Sequence, residues 1–325
     1  MTNDVTGSTR KVISLGKASF AIILPKDWVK EQKIEKGSEV LLFPQKNGQI
    51  IVQKSRMPRT KVVLDAADFS DELLDAAIQS SYILNIDETI VRFPPPENLD
   101  DKMNHLAELS KKFAGMNLAI SGTNEVTISN LVNMMKLRVN EIFDQLLAIL
   151  WLLLEQIERE DYDRDNSSQM AQMEGKYRLG VRLLIFALRN QHLEFEAGMS
   201  DIIQVLGSRI ALRALRSLIL QVNNIIPYLK TAEIPNLPVV LKYFKKLTQQ
   251  AVKCLYETEI YSIKQINDYW NELEPLTDKI EDQTGIIRNF FMTYYDIIGT
   301  FKEVSVTRHI EGLESLIEEE PAASE

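Results

Sequence analysis

Residues 10–54 read RKVISLGKASFAIILPKDWVKEQKIEKGSEVLLFPQKNGQIIVQK. The stretch is basic, strand-rich and divided by turns. Arg10–Ser14 alternates apolar and polar residues and predicts a strand, GKAS at 16–19 a turn, and Phe20–Leu24 a second, β-branched strand. Pro25 suits the first position of a helix, where a missing N–H costs nothing, and Lys26–Gln32 supplies one short helix. Val40–Phe43 and Gln49–Gln53 form a hairpin around Asn47-Gly48, a strong two-residue turn signal. The order is β-β-α-β-β. A segment of this size cannot bury a core of its own, which implies pairing with a second copy.

Charge separates this head from the rest. Residues 1–61 hold 12 Lys/Arg against 5 Asp/Glu, a net +7, while the remainder holds 25 against 41, a net −16. An acidic body repels nucleic acid, but a paired basic head can bind phosphate backbones. One cysteine, Cys254, excludes an internal disulfide and suits a reducing cytoplasm. The N-terminus has no apolar signal core, and the longest apolar run, Leu146 to Leu154, is too short to span a bilayer. The chain is expected to be cytoplasmic, with no membrane insertion.

Beyond the head, residues 60–128 alternate strands and helices. Lys61–Asp65, Thr89–Phe93, Asn117–Ile120 and Glu125–Ile128 read as strands, and Asp71–Leu84, capped by Ser70, and Asp100–Ala114 as helices. This βαβαβ-like order suggests a small α/β connector. Residues 129–318 carry helical apolar spacing nearly throughout, with breaks near Asp161–Ser168, Gln191–Phe195, Pro227–Pro238 and Glu274-Pro275, hence about six long helices in two groups of three. Residues 319–325 read as a disordered acidic tail. The domains are therefore 8–56, 60–128 and 129–318, in a multidomain chain of small β head, α/β connector and mainly α body.

RKVISLGKASFAIILPKDWV, then IEKGSEVLL and NGQIIV, resembles the AbrB/SpoVT/MazE-type swapped-hairpin DNA-binding domain. The resemblance implies an intertwined homodimer whose N-terminal strands and loops lie along DNA. Arg10, Lys11, Lys17 and Lys26 would then neutralise phosphates, and Ser19 would donate a hydrogen bond to one. Arginine can also read a guanine edge. The loop GKAS departs from the family's commoner Gly-Ser-Ser type.

The helical segment resembles the PhoU domain, a pair of three-helix repeats. QVNNI at 221–225 and SVTRHIEGLES at 305–315 resemble the ends of those repeats. The combination resembles archaeal phosphate-uptake regulators, which implies a link to phosphate transport and, as partners, a transporter ATPase or sensor kinase. A rival reading uses the head only to dimerise the chain and makes the whole an interaction module that restrains such a partner.

PhoU domains hold a divalent or iron-type metal through acidic pairs spaced i, i+4, which share one helix face. Here that pattern is degraded. RSLIL at 216–220 lacks both acids, Glu174 is followed by Arg178, and Glu311 by Ser315. Asp278 and Asp282 keep the spacing, but 46 acids in 325 positions give about 6.5 such pairs by chance. They read as a solvated helix face, and no cofactor is expected.

Catalytic constellations are missing from the sequence. His105, His192 and His309 are scattered, and Lys11 stands where GxxxxGK needs its first glycine. Phe290, Phe291, Tyr294 and Tyr295 recur at helical spacing and read as core. The chain reads as a regulator and not an enzyme.

Overall fold

The computed structural model describes residues 9–15, 19–44, 48–54, 59–94, 99–189, 199, 202–232, 234–257, 259–280 and 285–313. The chain forms two compact units, Met1–Pro58 and Arg59–Glu325.

In the head, β1 (Ile13–Leu15) pairs antiparallel with β2 (Ser19–Ala21), Leu15 opposite Ser19 and Ile13 opposite Ala21. The ladder is shorter than the apolar runs predict. Arg10 and Lys11 precede it, and Ile22–Leu24 leaves it before Pro25. Helix α1 (Lys26–Glu31) follows, with Pro25 at its N-cap. Strands β3 (Val40–Pro44) and β4 (Ile50–Lys54) form the second hairpin, Leu42 opposite Val52. Gly48 has φ 81° there, a backbone region open to glycine at no steric cost.

The second unit begins with a four-stranded sheet of β5 (Lys61–Asp65), β6 (Glu88–Arg92), β7 (Met116–Ile120) and β8 (Glu125–Asn130) in the order β5-β6-β8-β7. β5 and β6 are parallel, and the β6–β8 and β7–β8 pairs are antiparallel. The parallel pair needs a crossover, which is α2 (Asp71–Ile83). Ser70 caps it as expected, its Oγ accepting from Leu73 N–H at 3.3 Å. Helix α3 (Leu99–Ser110) connects β6 to β7, and β8 then inserts between them. Leu74, Ile78 and Tyr82 of α2 and Leu106 and Leu109 of α3 bury against Val91, Val126 and Ile128 of the sheet.

Among the described residues six long helices follow: α4 (Val139–Glu158), α5 (Ser167–Arg189), α6 (Ile202–Leu229), α7 (Leu237–Lys253), α8 (Ile260–Thr277) and α9 (Ile286–Leu313). Helices α4, α5 and α6 pack on one another, as do α7, α8 and α9, and the two groups meet mainly through α6 on α9 and α4 on α7. Their breaks differ from the proline-based expectation. Pro227 and Pro275 lie inside α6 and α8. Each removes one i→i−4 hydrogen bond in the final turn, and buried Ile226 and Leu229, or Leu273 and Thr277, hold that turn in place. The break after Lys253 carries no Gly or Pro; there Cys254 and Leu255 turn fully into the core. The expected break at Gln191–Phe195 lies outside the described residues. The aromatic cluster is core: Tyr294 stacks on Phe244 at 4.2 Å and its hydroxyl meets Thr248 Oγ1 at 3.1 Å.

The two layers of this unit are joined where α2 ends. Asn85 adopts the left-handed region (φ 59°) and faces Arg182 of α5, whose guanidinium lies 4.5 Å above the Tyr82 ring.

Candidate nucleic-acid interface

Among its described residues the head buries no side chain. Phe20 is 78% exposed, and Ile13, Leu15, Ile22, Ile23 and Leu42 are also bare. Phe20 and Leu15 belong to the first hairpin, so its apolar side chains lack a covering layer. Hydrophobic side chains left in water forfeit about 1.5–3 kcal/mol each relative to full burial.

The basic side chains frame this bare hairpin. Arg10 and Lys11 lie on the chain leading into β1, Ser19 opens β2, and Lys26 is the first residue of α1; all four are exposed. Among the described residues, Arg10, Lys11 and Lys26 enter no ion pair, and Arg10 only donates to the neighbouring Thr9 carbonyl at 3.2 Å. Among the described residues no protein acid pairs with these charges. Lys17 lies outside the described residues.

The candidate metal ligands and the positions expected to have lost theirs are different in kind. Asp278 is the residue that ends α8, and Asp282 lies outside the described residues. Among the described residues no group of three or more His, Cys, Asp or Glu side chains is placed to hold a metal ion. At Glu174 the reason is visible. Arg216 Nε donates to Glu174 Oε1 at 2.7 Å, its Nη2 also contacts that oxygen, and Arg178 Nη2 lies 3.8 Å from Oε2. A guanidinium fills the place where a cation would coordinate, so these residues do not fit a metal. In the sequence Arg216 and Arg178 mark only lost acids; in the fold they converge on one carboxylate. The i, i+4, i+7 spacing of Arg209, Arg213 and Arg216 was the available signal.

The remaining titratable groups form no catalytic cluster among the described residues. His105 Nε2 pairs with Asp75 Oδ1 at 2.8 Å on the surface, and His192 lies outside the described residues. Cys254 is buried, and burial pushes its thiol up to about 11. Tyr295 is pushed up to about 12 by burial, although its hydroxyl meets Thr277 Oγ1 at 2.9 Å. No described helix is long and apolar enough to cross a membrane.

Comparison with known proteins agrees with the head. A family model described as "Antidote-toxin recognition MazE, bacterial antitoxin" matches residues 13–60. The N-terminal segment is therefore a MazE/AbrB-type domain, followed by a mostly helical body. No curated protein and no solved structure matches the chain.

Proposed function

We propose that the chain is a non-enzymatic regulator whose head pairs with that of a second copy and binds DNA. The observation that carries this reading is the head itself: an uncovered apolar hairpin beside cations that pair with no acid among the described residues. A second copy swapped against the first covers the apolar residues and places two sets of Arg10, Lys11, Ser19 and Lys26 on one surface. Doubling a basic head on an acidic body confines nucleic acid to that surface. The match to a MazE-type domain supports the reading. Lys17, between the two strands in sequence, belongs to the same proposed phosphate-contacting set. The test is a mobility shift after genomic selection, repeated at rising salt; no bound sequence, or binding that salt does not weaken, rejects it.

For the body we propose a PhoU-like sensor or scaffold. Its six helices in two mutually packed groups of three support this. The phosphate link, an archaeal setting and a cytoplasmic site of action are carried by the sequence resemblance alone. In this reading no metal is used, because arginine already neutralises Glu174.

The acidic charge of the body favours a second reading, in which the head only dimerises a module that restrains a transporter ATPase or kinase. The matched family, described by toxin recognition, adds a protein ligand for the head to this class. Capture of a transporter ATPase by a chain lacking residues 1–58, together with no DNA binding by the full chain, selects it.

A further inference from the structure

We infer that α5 and α6 form an anion-binding site where their arginines gather around Glu174 and Tyr177. Glu174, Tyr177 and Arg178 lie on α5, and Arg209 and Arg216 on α6. Arg216 holds Glu174, and its guanidinium also lies 5.1 Å from the Tyr177 ring centroid. Arg209 lies 5.7 Å from the same centroid and donates from Nη1 to the Tyr177 hydroxyl at 3.1 Å. Arg178 lies 3.8 Å from Glu174 and 5.1 Å from the Phe113 ring centroid, and donates to the Lys112 carbonyl at 3.4 Å.

Three guanidinium charges thus surround one carboxylate and one phenol. They do so in a chain whose residues 62–325 carry a net −16. Gathering like charges in partial burial is unfavourable unless an anion joins them. The side chains of Arg178 and Arg216 are only 19% and 33% exposed, dry enough to strengthen a bound charge and open enough to admit one. Each guanidinium carries five N–H donors in a planar fork that matches a phosphate or carboxylate group. Arg209 spends one donor on Tyr177, and Arg178 one on Lys112. Aromatic rings fix the guanidinium planes, which lowers the cost of ordering them on binding.

The ligand class is a small multivalent oxyanion, carrying phosphate or clustered carboxylate groups. Glu174 competes with it for Arg216 and sets how tightly it binds. This site does not depend on the DNA reading of the head.

The test is calorimetric titration of the full chain with pyrophosphate, and with inorganic phosphate and citrate as further probes. The expected result is binding that Arg209→Gln or Arg216→Gln weakens on the order of tenfold, as loss of a charge-assisted hydrogen bond gives. Glu174→Gln, which frees Arg216, is expected to tighten binding, the opposite of what a purely structural salt bridge predicts. Arg209→Gln spares the Glu174 pair and so tests the site even where Arg216→Gln does not fold. A chain with Arg10→Ala and Lys11→Ala is expected to bind the anion unchanged. Absence of binding with all three anions overturns the site, as does binding unmoved by Arg209→Gln, weakened by Glu174→Gln, or lost with the head charges.

Discussion

Asn85 and Arg182, 97 residues apart, hold each other by two hydrogen bonds: Arg182 Nε to Asn85 Oδ1 at 2.9 Å and Asn85 Nδ2 to the Arg182 carbonyl at 3.0 Å. Arg182 is 3% exposed, and burial pulls its guanidinium below the ordinary value while Tyr82 and, more weakly, Asp87 pull it back. Asn85→Ala takes away the acceptor and leaves a β-carbon in the left-handed region. The expected loss is about 2–3 kcal/mol in urea unfolding. Asn85→Gly loses the same hydrogen bonds without the backbone strain, so its loss is smaller; equal losses show that strain contributes nothing.

Phe20→Glu places a charge on the bare face of β2. If two heads cover each other there, sedimentation should show the chain falling to monomer at concentrations where the unaltered chain is paired. Circular dichroism of the helical body should stay as it was, since its core is built from other residues. Unchanged association places the pairing elsewhere.

Arg10→Ala, Lys11→Ala and Lys17→Ala should each weaken binding to all DNA sequences about equally. Each should reduce the slope of log affinity against log salt by about one. A variant that changes sequence preference instead reads base edges rather than phosphates.

Gly207→Ala brings a β-carbon to 2.6 Å from Val304 Cγ1, where α6 crosses α9. Valine has a single stiff χ1 and cannot swing its methyl aside, so the helices must separate. The expected cost is about 1–3 kcal/mol, larger than the gain of about 1 kcal/mol from replacing a helical glycine. Thermal unfolding measures the net sign, and a stabilised variant shows that α9 yields easily.

Alkali should destabilise the fold. Burial pushes the folded thiol of Cys254 up to about 11 and the hydroxyl of Tyr295 up to about 12, from ordinary values of 9.0 and 10.0. Above pH of about 9 the unfolded chain releases protons that the folded chain retains, so unfolding becomes easier as pH rises. Stability is full below that pH and falls until the folded values are passed. Cys254→Ala should flatten the lower part of this decline in urea unfolding at several pH values. In the native protein Cys254 should resist thiol reagents near neutrality.

Local chemistry explains what the sequence made legible. The Ser70 cap, the crossover α2 and the aromatic core of α9 follow from side-chain types at short spacing. Helix ends were less readable, because Pro227 and Pro275 are overruled by buried neighbours and the turn after Lys253 is made by Cys254 and Leu255 entering the core. In the head, Arg10, Lys11, Ser19 and Lys26 could be named from the basic pattern. Their exposure and lack of ion pairs could not, since these depend on what else the chain brings near. The meeting of Glu174 with Arg216 was equally hidden. It spans 42 residues and becomes visible only when α5 lies on α6.

That pair has one more consequence. At Glu174 the neutralising cation is part of the polypeptide. A chelator has nothing to remove there, and metal starvation leaves nothing unfilled. The helical body can reach its folded state without drawing on any inorganic supply at this position. Whatever signal it passes on must come from ligands and partners that leave and return, because this charge never does.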